Sequence, residues 1–223
     1  MNSNDMRQDI IETCLAMKRM GINQGTSGNV SLRQGDGFLI TPSGMPYELM
    51  RPDDIVWMGF EGQLQGGKPS SEWRFHLDIL RNRPEICAIV HCHSVHATAL
   101  ACQMREIPPF HYMVAVAGGS SIRCAPYATF GTQELSDAAL LALTDRKACL
   151  LGHHGQIALG KDLRSALNLA VEVETLAQTY LAACALGEPP LLPEEEIDRV
   201  LEQIRRLGYG LSPNDLEAKG NDR

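Results

Sequence analysis

The chain has 223 residues, of which 44% are hydrophobic and 21% charged, with a formal net charge of -7. That length suggests one domain with enough apolar residues for a sizeable core, which excludes a disordered chain. The acidic balance argues against nucleic acid as the main partner, because phosphate backbones are gripped by basic patches, and no run of 18 apolar residues marks a membrane span.

The opening stretch MNSNDMRQDIIETC mixes both charges and lacks an apolar core segment, so no signal peptide is expected. Asp5 to Met20 carries Ile10, Ile11, Cys14, Leu15 and Met17 at helical spacing, with Gly21 as the stop. Asn29 to Leu32, Phe38 to Thr41 and Ile55 to Met58 read as strands between tight turns. A helix is expected from Ser70 or Ser71 to about Asn82, ending before Pro84. Cys87 to His93 reads as a buried strand, and Ser94 can cap the alanine-rich helix after it. Ser121 to Ala125 reads as a strand, and Thr132 to Leu143 as a helix capped by Thr132. Ala148 to Leu151 and Gln156 to Leu159 flank a turn at His153-His154-Gly155. A long amphipathic helix follows from about Asp162 to Leu186, stopped by Gly187 and Pro189, and a last helix runs from Pro193 to Leu207. The pattern is α/β, in layers of helix, sheet and helix. One domain is expected over residues 1–223, with a loose tail at 211–223. Seven scattered cysteines in a chain this large fit free thiols in a reducing cytoplasm better than a disulfide framework.

The strongest chemical signal is His91-Cys92-His93. Residues i and i+2 of a strand share a face, so two imidazoles project side by side while Cys92 turns to the opposite face. The pair ends an apolar run, and strand C-termini are where α/β sheets bind ligands. His153 or His154 offers a third nitrogen, and Glu72 a carboxylate. Such a set suits zinc or another borderline divalent metal. Each residue has an ordinary explanation too: histidine is a common surface residue, and the helix macrodipole favours an acid in the first turn. Three small polar clusters stand apart: Gly25-Thr26-Ser27-Gly28-Asn29, Thr41-Pro42-Ser43-Gly44 and Lys68-Pro69-Ser70-Ser71. Glycine lets backbone approach an anion and the hydroxyls donate to it, although the same residues dominate plain turns. No GxxxxGK[ST] loop, dinucleotide fingerprint or CxxC pair occurs.

The segments NQGTSGNVS (23–31), ITPSGMPYE (40–48), PSSEWRFH (69–76), VHCHSVHATA (90–99), IPPFHYMVAVAGG (107–119), CAPYATFGT (124–132) and HHGQIA (153–158) together resemble the class II aldolase/adducin family. The resemblance spans about residues 5 to 211. It implies a mainly antiparallel central sheet flanked by helices, and a cyclic homotetramer with active sites where subunits meet. It implies one zinc ion per subunit on His91, His93 and His154, with Glu72 as a further ligand. It implies a phosphate pocket at Gly28, Asn29, Ser43, Gly44, Ser70 and Ser71, with Ser43 standing where the nearest family pattern has threonine. The implied reaction is retro-aldol cleavage of a ketose 1-phosphate, of the L-fuculose 1-phosphate type, into dihydroxyacetone phosphate and an aldehyde. In it Glu72 is the acid/base, Tyr112 reaches in from a neighbouring subunit to handle the aldehyde oxygen's proton, and Tyr209 matches a second, C-terminal tyrosine. The resemblance also admits cleavage of 5-deoxyribulose 1-phosphate or 5-methylthioribulose 1-phosphate. It further admits a pentulose-phosphate 4-epimerase, whose pattern has aspartate in place of Glu72, and a non-catalytic adducin-like module.

Overall fold

The computed structural model describes residues 3–207. Helix α1 (Ser3–Arg19) buries Ile10, Ile11, Cys14 and Met17, the stripe its spacing predicts. Strands β1 (Asn29–Gln34), β2 (Gly37–Ile40), β3 (Val56–Gly59) and the short β4 (Leu64–Gln65) form a meander. Then come α2 (Trp73–Asn82), β5 (Ala88–Cys92), α3 (Val95–Cys102), a six-residue 3-10 helix (Tyr112–Ala117) and β6 (Cys124–Ala125). The chain continues with α4 (Gln133–Ala142), β7 (Ala148–Leu151), β8 (Gly155–Gly160), α5 (Leu163–Cys184) and α6 (Glu194–Leu207).

The eight strands form one sheet in the order β4-β3-β2-β1-β5-β8-β7-β6, antiparallel throughout except for the β6–β7 pair. Side chains alternate across β5. Ala88, Val90 and Cys92 enter a core shared with α1, α3 and α5, while Ile89 enters a second core shared with α2 and α4. The result is the three-layer, mainly antiparallel arrangement expected. All seven cysteines are unpaired, and burial pushes the Cys92 thiol up to about 12, as befits a core residue. Among the described residues no helix is long and apolar enough to cross a membrane.

Three expectations need correction. The helix foreseen from Ser70 or Ser71 begins only at Trp73, with Glu72 in the N-cap position rather than the first turn. Ser70 is held to the sheet instead: its N–H donates to Thr41 O at 2.9 Å, and Pro42 and Pro69 form an isolated bridge. Ser94 does precede α3, but its hydroxyl accepts from Gln156 Nε2 rather than capping the helix. Glu174, on α5, caps α3 by accepting from the N–H groups of His96 and Ala97 at 2.9 Å, a contact worth about 1 kcal/mol. Of the strand foreseen at Ser121–Ala125, only Cys124–Ala125 pairs regularly, with a lone bridge between Ile107 and Ile122.

Candidate active site

Register brings the site together. Asn29, which opens β1, is the antiparallel partner of His91 on β5, and Cys92 is the partner of Gln156 on β8. The β7–β8 turn closes with the pair Leu151 and Gly155, so His154 reaches the end of β5. The rule that ligands sit at strand C-termini belongs to parallel sheets. Here strand starts and strand ends share one edge, and the site draws on both.

His91, His93 and His154 each offer a ring nitrogen, and these atoms all lie within 4.8 Å of one another. The Nε2 atoms of His91 and His93 are 3.1 Å apart, as the shared strand face requires. The doublet is thereby decided in favour of His154. His153, in the left-handed region at φ 53°, packs edge-on against Tyr127 instead. His91 Nδ1 lies 2.9 Å from the Gln156 carbonyl oxygen. A carbonyl only accepts, so Nδ1 carries the proton and Nε2 presents a bare lone pair to the cluster. Burial, with His91 and His154 adding to it, pushes His93 down to about 3, which keeps that ring in the neutral, ligand-ready form. The His93 N–H donates to Asn23 Oδ1 at 3.0 Å, which fixes the backbone just past the strand.

Glu72 closes the cluster. Its Oε2 lies 3.2 Å from His91 Nε2 and its Oε1 3.1 Å from His154 Nε2. Burial works to raise this carboxyl, while His91 and His154, when their rings carry a proton on Nε2, outweigh burial and hold it below the usual carboxylate range. Oε1 is buried yet has no hydrogen-bond partner of proper geometry. A buried anion with an unmet lone pair, facing three imidazoles, suits a divalent metal better than an ion pair.

The other small polar clusters converge on the same edge. Ser43 N–H donates to Lys68 O and Ser70 N–H to Thr41 O, which lays the 41–44 and 68–71 segments side by side. Gly44 is in the left-handed region at φ 70°. At Gly28 a Cβ would lie 2.8 Å from the His91 carbonyl oxygen, so no side chain fits there. Ser70 Oγ accepts from the Glu72 N–H. The Asn29 amide is not free: Nδ2 donates to Glu72 Oε2 at 2.9 Å, and Oδ1 lies 2.5 Å from His76 Nε2. A cleft of about 300 Å³ is lined by Lys68, Ser70, Ser71 and Trp73 among others.

A family model described as Class II Aldolase and Adducin N-terminal domain matches residues 8–181. The chain belongs to the class II aldolase and adducin family. It is 54% identical over 210 residues to the L-fuculose phosphate aldolase of Escherichia coli K12, covering 93% of this chain and 98% of the relative. It is 53% identical over 204 residues to the 5-methylthioribulose-1-phosphate/5-deoxyribulose-1-phosphate aldolase of Rhodospirillum rubrum, covering 91% and 92%. A solved L-fuculose 1-phosphate aldolase superposes with a TM-score of 0.87 at 39% identity, covering 90% of this chain and 96% of that one. The protein is a class II aldolase and therefore a lyase. Class II aldolases are metal-dependent, and the three-histidine cluster is a set that could hold a metal ion.

Tyr112 is 52% exposed and stacks on His111 at 4.8 Å. Among the described residues it makes no hydrogen bond or ring contact with the three histidines. Tyr209 and the 211–223 tail lie outside the described residues. Sequence reasoning missed Asn23, Gln156, Glu174 and His76. Asn23 and His76 lay inside quoted motifs, but nothing in one sequence showed that their side chains turn inward. Gln156 acts on His91 through its backbone, which its side chain does not advertise.

Proposed function

We propose that this aldolase binds one zinc ion per chain on His91, His93 and His154 with Glu72, and cleaves a ketose 1-phosphate of the L-fuculose 1-phosphate type between C3 and C4. The products are dihydroxyacetone phosphate and an aldehyde. The observation that carries the reading is the buried Glu72 carboxylate facing three convergent imidazoles, with one oxygen left without a hydrogen bond. A metal ion held there supplies Lewis acidity, worth several kcal/mol toward the negative charge that develops on the carbonyl side of the broken bond.

The chain's own residues do the rest. The loops carrying Gly28, Asn29, Ser43, Gly44, Ser70 and Ser71 hold the substrate phosphate with backbone N–H groups and hydroxyls. That anchor fixes C3 beside Glu72, which moves the proton at C3 of the three-carbon product. No lysine Schiff base is assigned. Tyr112 acts on the aldehyde oxygen across a subunit boundary in a homotetramer. Its exposure and its lack of contact with the histidines of its own chain support that placement. Tyr209 is assigned the second tyrosine role at the aldehyde end. The enzyme works in the cytoplasm.

The second reading, cleavage of 5-methylthioribulose 1-phosphate or 5-deoxyribulose 1-phosphate, rests on the nearly equal identity to the Rhodospirillum rubrum enzyme. One assay tests both. Release of dihydroxyacetone phosphate is followed for the three sugar phosphates side by side, with and without chelator. Chelator-sensitive release is expected, and the ranking of kcat/KM chooses the substrate. No release from any of them by zinc-loaded protein would overturn both substrate readings.

The phosphate assignment makes a separate prediction. Ser71→Ala removes one donor to a charged group, a contact worth about 1.5–3 kcal/mol, so KM for a phosphorylated substrate should rise roughly tenfold or more with kcat much less affected. An unchanged KM would place the phosphate elsewhere.

A further inference from the structure

We propose that His76 is a positioning residue for Glu72, acting through the amide of Asn29 in a one-way chain of hydrogen bonds that starts at Ser31. This rests on the reading of Glu72 as the acid/base. The chain has three links: Ser31 Oγ to His76 Nδ1 at 2.7 Å, His76 Nε2 to Asn29 Oδ1 at 2.5 Å, and Asn29 Nδ2 to Glu72 Oε2 at 2.9 Å. All four side chains are buried, and Ser31 and His76 completely so.

Chemistry fixes the direction of every link. An ionised carboxylate only accepts, so the Asn29 amide must turn its NH₂ toward Glu72. Its oxygen then faces His76 and needs a donor, so the proton of the neutral imidazole sits on Nε2. Nδ1 is left bare and accepts the Ser31 hydroxyl proton. Burial, helped by the nearby His91, pushes His76 down to about 3, so the ring has one N–H and therefore one tautomer. Each link polarises the next, and all the donated hydrogens point toward the carboxylate. Without the imidazole N–H the amide is free to rotate by half a turn. Its oxygen would then oppose the Glu72 carboxylate and push that group off its place beside His91 and His154.

The ordinary alternative is a satisfied core histidine, since the ring also stacks on Phe75 at 4.6 Å. A core role needs only shape. The proposed role needs one tautomer and one N–H, and the two are separable. Imidazole nitrogen NMR of the wild-type protein, metal-free and zinc-loaded, should show His76 protonated at Nε2 with a slowly exchanging proton, and Asn29→Ala should remove that protection. A proton on Nδ1, or an Nε2 proton indifferent to Asn29→Ala, would overturn the proposal.

Kinetics give the second test. His76→Leu should keep zinc at wild-type stoichiometry and lose kcat about ten- to hundredfold, the range for outer-shell partners, with the loss falling on kcat rather than KM. His76→Gln, which restores an N–H donor, should recover most of that loss. Wild-type kcat in folded His76→Leu would sink the relay, and if that variant fails to fold the tautomer measurement decides. Glu72→Gln run alongside separates the two claims. If it retains full turnover, the acid/base reading fails while the NMR result still judges the relay. If it is inactive and His76→Leu is not, the relay alone fails.

Discussion

Glu72→Gln should keep one zinc per chain and lose turnover by a factor of about 10²–10⁴, the usual contribution of a positioned acid/base. The substitution preserves volume and one accepting oxygen, so the Asn29 Nδ2 donor still finds a partner and the packing against α2 stays intact. Three imidazoles remain to hold the metal, because none of them depends on Glu72 for its place. His91 is fixed by the Gln156 carbonyl, His93 by Asn23, and His154 by the β7–β8 turn. What disappears is a group able to take and return a proton. Near-normal turnover with zinc in place would remove Glu72 from the chemistry and leave it a ligand only. Metal analysis and steady-state kinetics on the same preparation decide the point.

His93→Ala should purify with far less than stoichiometric metal and lose activity by about a thousandfold or more, since several kcal/mol of charge stabilisation at about 1.4 kcal/mol per tenfold is at stake. Its Nε2 lies 3.1 Å from that of His91, so removing the ring opens one side of the ligand set. The backbone is not expected to move, because Asn23 holds the residue through its N–H rather than through the ring. Circular dichroism and the melting temperature of metal-free wild type and variant should therefore agree. Full zinc occupancy in His93→Ala would refute the ligand assignment and place the metal elsewhere.

Much of this arrangement was legible in the residues. The strand at Cys87 to His93 and the period of two placed two imidazoles together, and the structure has them on one face. The Thr132 cap and the start of α5 at Asp162 follow from side-chain chemistry that acts over three residues, and both hold. What failed depended on distant partners. The start of α2 is set by Thr41, which takes the Ser70 N–H, and the cap of α3 comes from Glu174 on another helix. Neither can be read from local sequence. Spacing alone left His153 and His154 open and the family resemblance pointed to His154; the turn, in which adjacent residues point in different directions, brings His154 to the cluster. Asn29 shows the same limit from the other side. Its motif marked it for the phosphate pocket, and its side chain is occupied by Glu72 and His76.

The three imidazoles come from two separate stretches of chain, the end of β5 and the β7–β8 turn, and meet only once the sheet has formed. An unfolded chain has no such set, so an ion held as proposed would favour the native state, and mass action would tie occupancy to conformational stability. At free metal one hundred times the dissociation constant the gain is about 2.7 kcal/mol, or roughly 5–10 °C in melting temperature for a chain of this size. On the proposed metal site, metal supply would govern how long the folded chain survives as well as how fast it turns over. A cell short of the ion would hold fewer molecules of the enzyme, and not merely idle ones.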